Sequence, residues 1–324
     1  MNMLYDIVEP FQGFLFETFI LPFLHALGLS GWADEAFDTT GDILLGLLSV
    51  VLIYCLLRPM EKFWPVEKWQ HRRGVRVDVL YTLLMRSGFL PLIFFLLLDP
   101  LFTYVQSQLH MANIYTTHLE DLFPKLQSQP IIAFVIYLIV FDFFDYIRHR
   151  FQHRFNWWWG LHCIHHSQTQ LSLWSDERNH ILDSLFKVFW FAVLAILLGV
   201  PGGQFLLIIL VTKFIESLSH ANARISFGRV FGKLLVSPEY HRLHHGIGME
   251  HDGKYYGCNF ATLFPIWDII FKTSNFSNAN LPTGIRDQLA GENYGKGFLE
   301  QQLIGFKRMF SAFIPGIKIV NGHN

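Results

Sequence analysis

Apolar positions in this chain gather into long runs, and the polar positions fall between them. Gly41 to Leu57 reads GDILLGLLSVVLIYCLL, Asp78 to Leu98 reads DVLYTLLMRSGFLPLIFFLLL, and Pro130 to Ile147 reads PIIAFVIYLIVFDFFDYI. Ser184 to Val200 and Gly202 to Leu218 are two more, separated by the turn Val200-Pro201-Gly202-Gly203. A bilayer core requires roughly 20 apolar residues of helix, so each of these runs predicts a membrane-crossing helix. Phe11 to Leu29 is also apolar, but Pro22 interrupts it, which predicts an interfacial or re-entrant segment. Residues 1 to 20 lack a basic leading region and a small-residue cleavage site, so no secretory signal peptide is expected. No internal repeat or low-complexity linker is evident.

The polar loops predict an orientation. Arg58 to Arg76 carries Arg58, Lys62, Lys68, Arg72, Arg73 and Arg76, whereas Asp99 to Gln129 carries Lys125 beside Asp99, Glu120 and Asp121. Basic loops stay in the cytoplasm, so Arg58–Arg76 is expected there and Asp99–Gln129 on the far side. Counting onward puts Arg148 to Asp183 and everything after His220 in the cytoplasm. The sequon Asn275-Phe276-Ser277 then lies out of reach of glycosylation.

Composition agrees with a membrane protein. The 324 residues are 52% hydrophobic and only 16% charged, with 33 phenylalanines; soluble domains carry about 25% charged residues. The balance of 25 basic against 26 acidic residues leaves no electrostatic footprint for nucleic acid. Cys55, Cys163 and Cys258 form no CxxC pair, so neither a disulfide framework nor a thiolate metal site is indicated.

The candidate chemistry lies in the histidines, of which there are 16. Three windows are dense: His149-Arg150-Phe151-Gln152-His153, His162-Cys163-Ile164-His165-His166 and His241-Arg242-Leu243-His244-His245. On a helix, positions i, i+3 and i+4 share a face, so each window can aim two or three imidazoles at one point. Imidazole suits zinc, copper, iron and nickel. Eight such groups exceed one tetrahedral sphere, which makes two metals the economical reading. His220 closes the last span as a further candidate ligand, and His180 is a weaker one. His25, His71, His110, His118 and His323 stand alone and read as ordinary, while His251 is left open. Asp145 lies four residues before His149, and Glu216 four before His220. A ligating His usually gives its other N–H to a carboxylate or carbonyl, so both acids are expected to orient the following histidine. Asp142 sits a further turn deeper in the span. Trp157, Trp158 and Trp159 are expected either to form an interfacial belt or to wall the pocket.

These residues also carry a family resemblance. The runs Asp142-Phe-Phe-Asp-Tyr146-Ile-Arg-His149-Arg150-Phe-Gln-His153 and Trp159-Gly-Leu-His162-Cys-Ile-His165-His166-Ser167 resemble the fatty acid hydroxylase/sterol desaturase superfamily. So do Ser219-His220-Ala-Asn222, Ser237-Pro238-Glu-Tyr-His241-Arg242-Leu-His244-His245-Gly246, Tyr256-Gly257-Cys-Asn259-Phe and Pro265-Ile-Trp267-Asp268-Ile-Ile-Phe271-Lys-Thr273. The last departs from the usual WDxxFGT, and some members carry a second HxxxH near His220, where this chain has Arg224. The resemblance covers about residues 130 to 273. It implies a nonheme diiron centre of two iron ions on a helical membrane scaffold. Its ligands would be His149, His153, His162, His165, His166, His241, His244 and His245, joined by His220, with His180, Asn222 or water completing one iron. It further implies O2 as co-substrate, electrons from a separate electron-transfer protein, and hydroxylation or desaturation of a membrane lipid such as a fatty acyl chain or sterol.

The expected architecture is therefore all-α: a multi-pass transmembrane helical bundle with a cytoplasmic histidine-rich metal-binding cap. Its expected parts are N-terminal membrane helices (1–129), a hydroxylase-like catalytic domain (130–273) and a C-terminal cytoplasmic tail (274–324), with Phe298 to Phe313 amphipathic enough to lie on the membrane. The rival reading is a membrane metal transporter or metal-binding protein without oxygenase activity. A transporter places its ionisable residues at bilayer depth inside several spans, whereas these histidines lie past the helix ends. A haem carrier would use paired single histidines, and the HExxH of a zinc hydrolase is absent.

Overall fold

The structure, a computed structural model, describes residues 2–69, 72–114, 118–249, 256–277 and 281–314. His71, His251 and His323 lie outside the described residues. Among the described residues the chain is helical, with one isolated antiparallel bridge between Gly246 and Thr283 and no strand. In order the helices are α1 (Asn2–Leu15), α2 (Leu21–Ala26), α3 (Ala33–Phe63), α4 (Arg72–Arg86), α5 (Phe89–Met111), α6 (Leu119–Leu122), α7 (Pro130–Arg154) and α8 (Asn156–His166). There follow α9 (Ile181–Leu198), α10 (Gly202–His220), α11 (Gly228–Phe231), α12 (Pro238–His244), α13 (Ile266–Ile270), α14 (Arg286–Leu289) and α15 (Phe298–Ser311).

Five of these elements are long and apolar enough to cross a membrane: Ser30–Phe63, Phe89–Met111, Pro130–Arg154, Ile181–Leu198 and Gly202–His220. Four coincide with spans expected from the sequence. The fifth differs, because the run Asp78–Leu98 is broken at Ser87-Gly88, and the crossing helix is α5, reaching Met111. Two observations explain the break. Gly88 has φ +80°, and a Cβ there would collide with Ile43, so the chain turns where only glycine fits. Asp78 and Arg86 are also drawn out of the apolar run into buried ion pairs. The expected loop Asp99–Gln129 correspondingly begins as helix. The Phe11–Leu29 region bends through a π-helical turn, Phe16–Ile20, and is not among the spanning helices.

α7 is central. Its Ala133, Tyr137, Leu138 and Phe141 pack with Ile53 and Leu57 of α3, Leu194 of α9, and Ile208, Ile215 and Leu218 of α10. Phe141 stacks on Phe191 with centroids 5.7 Å apart. Outward faces carry exposed apolar side chains such as Leu97, Ile131 and Leu197, as lipid-facing helices require. Between helices in lipid the hydrophobic effect supplies little drive, and packing with polar contacts holds the bundle. Here that adhesive is a buried ionic network. Arg86 reaches Asp176 at 2.6 Å and Glu177 at 3.1 Å. Ser217 bridges Arg86 and Asp176, Arg178 pairs with Asp78 at 2.7 Å, and Lys213 pairs with Glu177 at 2.8 Å. The network ties α4 and the loop before α9 to α10.

The C-terminal helix α15 docks on α8. A Cβ on Gly160 would lie 2.6 Å from the Met309 nitrogen and 2.8 Å from the Arg308 carbonyl carbon, so the two backbones meet at that glycine. Its docked face includes buried Gln301 and Gly305, while Leu299, Leu303 and Phe310 are exposed on the other side. Its polar side chains are spent on other elements: Gln301 accepts from Tyr81 of α4, Gln302 donates to Tyr81 and to the Asn179 carbonyl, and Arg308 pairs with Asp287.

Candidate metal centre

The C-terminal ends of α7 and α10 and the start of α9 meet at one end of the bundle, and α8 and α12 cover that end. His149 and His153 occupy the last turns of α7; His162, His165 and His166 the last turns of α8; His220 is the last residue of α10; His241 and His244 lie on α12, which His245 caps. α12 starts on a Ser237 side-chain cap to the Tyr240 amide with Pro238 in its first turn, a strong local start signal. All nine histidines are 6% exposed or less.

They fall into two adjacent sets. His149, His153, His162 and His166 each present a ring nitrogen within 4.8 Å of the others, and so do His165, His220, His241 and His245. His166, His244 and His245 form a third group that joins the two. His166 stacks on His245 with centroids 4.4 Å apart, and His244 lies 4.6 Å from His149.

Hydrogen bonds at the outer nitrogens decide the tautomers. Nδ1 of His149 donates to the Phe260 carbonyl at 2.7 Å, and Nδ1 of His244 to the Cys258 carbonyl at 2.7 Å. His220 Nδ1 meets the Glu216 carbonyl at 2.7 Å, His165 Nδ1 the Arg178 carbonyl at 3.3 Å, and His162 Nδ1 the Asp183 carboxylate at 3.1 Å. A neutral ring that donates from Nδ1 carries a bare lone pair on Nε2. Among the described residues Nε2 of His149, His162 and His244 accordingly has no hydrogen-bond partner, and neither nitrogen of His166 has one.

In the second set the consequence is sharper. His220 Nε2 lies 3.2 Å from His165 Nε2, with two lone pairs facing each other. His241 Nε2 is 3.1 Å from His220 Nε2 and 3.2 Å from His245 Nε2. Metal–imidazole bonds of about 2.0–2.1 Å at ordinary coordination angles place their nitrogens about 3.0–3.4 Å apart. The donor set therefore fits metal ions that favour imidazole. Burial first, and neighbouring imidazoles second, hold His165, His166, His241 and His245 well below the usual histidine range. Burial likewise pushes His244 down to about 3. These rings are neutral, as ligands must be.

Several expectations are corrected. Asp145 does not orient His149: its carboxylate pairs with Arg148 at 2.5 Å and accepts from Thr262, because it faces the loop after α12 rather than the rings. Glu216 supports His220 through its backbone carbonyl, while its carboxylate pairs with Lys187 and Lys213. Asp142 accepts from the Leu263 and Phe264 amides and the Trp267 indole, fixing a turn. His180 caps α9 and bonds the Gln302 carbonyl, away from the rings. Asn222 is held by Val66 and Glu67 and is equally removed. Trp158 and Trp159 are buried walls rather than a belt; Trp159 lies 5.0 Å from His153 and 5.3 Å from His166 by ring centroids.

The carboxylate that holds one of the clustered rings is that of Asp183, absent from the sequence reading. It accepts from His162, the Trp158 indole at 2.7 Å and both-oxygen contacts from Gln152 at 2.7 and 2.8 Å. An aspartate opening an apolar span was the available signal. Residues 258–260 contribute backbone: Asp268 accepts from the Phe260 and Ala261 amides and from Tyr240, holding the turn whose carbonyl receives His149.

Comparison with known proteins agrees with this geometry. The pattern of the family described as fatty acid hydroxylase matches residues 134–273. The chain is 31% identical over 308 residues to ornithine lipid hydroxylase OlsE of Rhizobium tropici, covering 93% of this chain and 87% of that protein. It is 27% identical to the alkylglycerol monooxygenases of Caenorhabditis elegans and Homo sapiens, over 55% and 44% of this chain. Those alignments span only 34% and 31% of the two monooxygenases. No solved structure is significantly similar. With its histidine windows inside the matched region and a relative alike along nearly the whole chain, the protein belongs to the fatty acid hydroxylase family.

Proposed function

We propose that this protein is a membrane diiron hydroxylase that inserts oxygen into an aliphatic chain of a polar membrane lipid. The observation that carries the reading is the pair of adjacent four-histidine sets, each with its ring nitrogens within 4.8 Å of one another, His165 and His220 facing Nε2 to Nε2 at 3.2 Å. Two iron ions held there would supply O2 activation, and the balance RH + O2 + 2e− + 2H+ → ROH + H2O requires a separate electron-transfer protein. His149, His153, His162 and His166 hold one ion and His165, His220, His241 and His245 the other, with His244 between them.

The chain's own residues prepare the site. Carbonyls of Cys258, Phe260, Arg178 and Glu216 and the Asp183 carboxylate lock the rings of His244, His149, His165, His220 and His162 and keep the proton of each of these five on its outer nitrogen. Such partners contribute about 10–100-fold in affinity or activity. Phe260 and Trp159, 0% and 2% exposed, line the first set and exclude water from it. The apolar helices that end at the site give an acyl chain a route from the bilayer. Likeness to an ornithine lipid hydroxylase over 93% of the chain supports an amino-acid-bearing lipid as substrate. The basic Arg58–Arg76 loop supports a cytoplasmic position for the centre.

Purified enzyme supplied with reductant, 18O2 and membrane lipids is expected to yield a lipid carrying one 18O atom. Lipidomes of a deletion strain and its parent are expected to differ in that species. Consumption of neither O2 nor lipid by an iron-loaded preparation overturns the reading.

A further inference from the structure

A cleft of about 340 Å3 that none of the nine clustered histidines lines is walled by Arg58, Trp69, Arg72, Val75 and Arg76. The charged residues that line it are all basic, Arg58 being also paired with Glu61 at 3.2 Å. Arg72 and Arg76 are exposed, lie four residues apart on α4 and so share one helix face. Arg58 closes the opposite wall with its guanidinium 4.2 Å over the Trp69 ring. The nearby acids are already engaged: Glu61 accepts from Arg58 and from the Leu173 and Asn222 amides, and Glu67 pairs with Arg242.

This placement opposes helix stability. Like charges at i and i+4 repel, and cations in a first turn oppose the helix dipole. α4 opens with Arg72 and Arg73 and has no acid in its first turn. An anion seated among the three guanidiniums removes both penalties. The cleft also sits at the edge of the bilayer. Arg58 lies near the end of the spanning α3, and the residues that follow, Phe63 and Trp64, are 65% and 62% exposed, as aromatic anchors at the lipid–water boundary are. α4 itself exposes Leu80 and Leu83.

We infer that this cleft is a binding site for the anionic headgroup of a membrane lipid, a phosphate or carboxylate held by Arg58, Arg72 and Arg76 with Trp69 as its floor. Planar guanidiniums match the oxygen geometry of such groups in a way that ammonium groups do not, and the exposed apolar residues beside the cleft receive the acyl chains.

The test uses full-length protein in neutral detergent and native mass spectrometry, with phosphatidylglycerol, phosphatidylcholine and inorganic phosphate added separately. Wild type is expected to retain phosphatidylglycerol over phosphatidylcholine and to keep it when inorganic phosphate is added. The Arg72→Gln/Arg76→Gln variant should lose about thirtyfold in phosphatidylglycerol affinity, from roughly fivefold per arginine near a membrane surface, while its weak phosphatidylcholine binding is unchanged. Arg229→Gln/Lys233→Gln, on and beside α11, is the control and should bind as wild type. If the glutamine variant fails to fold, Arg72→Lys/Arg76→Lys should retain charge and fold yet bind phosphatidylglycerol more weakly. Unchanged binding in a folded arginine variant overturns the proposal, as does displacement of the lipid by equimolar inorganic phosphate, which would mark a free-anion site.

Discussion

His220 and His165 face each other nitrogen to nitrogen at 3.2 Å, and neither has a proton to place between them. The Glu216 and Arg178 carbonyls claim both protons on the outer edges. Two lone pairs so close in a buried site repel unless a cation lies beside both, so the pair has the arrangement that a shared metal ion would satisfy.

Metal content follows directly. Purified protein is expected to hold about two metal atoms per chain, mainly iron, since the imidazoles exceed one coordination sphere. His220→Ala removes a donor from the second set only and should lower the count by about one, and His165→Ala should do the same and abolish turnover. Elemental analysis checks this; one tightly bound zinc per chain, inert to reductant and O2, would exclude the two-iron reading.

Asp183 and Asp145 separate support of a ligand from support of the fold. Asp183→Asn leaves at least one of the His162, Gln152 and Trp158 donors without an acceptor, so metal affinity should fall about 10–100-fold. Asp145→Asn strands the buried Arg148 guanidinium and should cost about 3 kcal/mol of stability with metal content near wild type. Metal titration and thermal denaturation of both variants decide; the reverse pattern would return Asp145 to the metal site.

Docking of α15 on α8 hinges on Gly160. Gly160→Ala places a methyl group against the Met309 backbone, which cannot move aside as a flexible side chain would. Overpacking of this kind costs about 1–3 kcal/mol, and because α8 carries three of the histidines, metal retention should weaken as well. A variant with unaltered melting temperature and metal content would show that α15 is dispensable to the site.

Topology is open to cysteine labelling. Lys68→Cys and Lys125→Cys both place an exposed thiol, on the basic loop and on the acidic loop. In a Cys55→Ser background, an impermeant maleimide applied outside intact cells should label Lys125→Cys and spare Lys68→Cys. Labelling in the opposite sense would put the histidines on the outer face.

The sequence alone determined the helical class, four of five crossing helices and all nine histidines that converge. Spans follow from local apolar length, and histidines at i, i+3 and i+4 share a face whatever surrounds the helix, so neither depends on distant partners. What the tertiary structure decided is long-range. His149 is held by a carbonyl 111 residues away, and His162 by an aspartate 21 residues away. Proximity in sequence pointed instead to Asp145 and Glu216, whose carboxylates turn to Arg148 and to the lysines of α9 and α10. The broken span has the same cause: Asp78 and Arg86 fall within what the sequence presents as one apolar run, and only in the fold do Arg178 and Asp176 stand as their partners. A buried charge goes where an opposite charge waits, and only the folded chain brings those partners together.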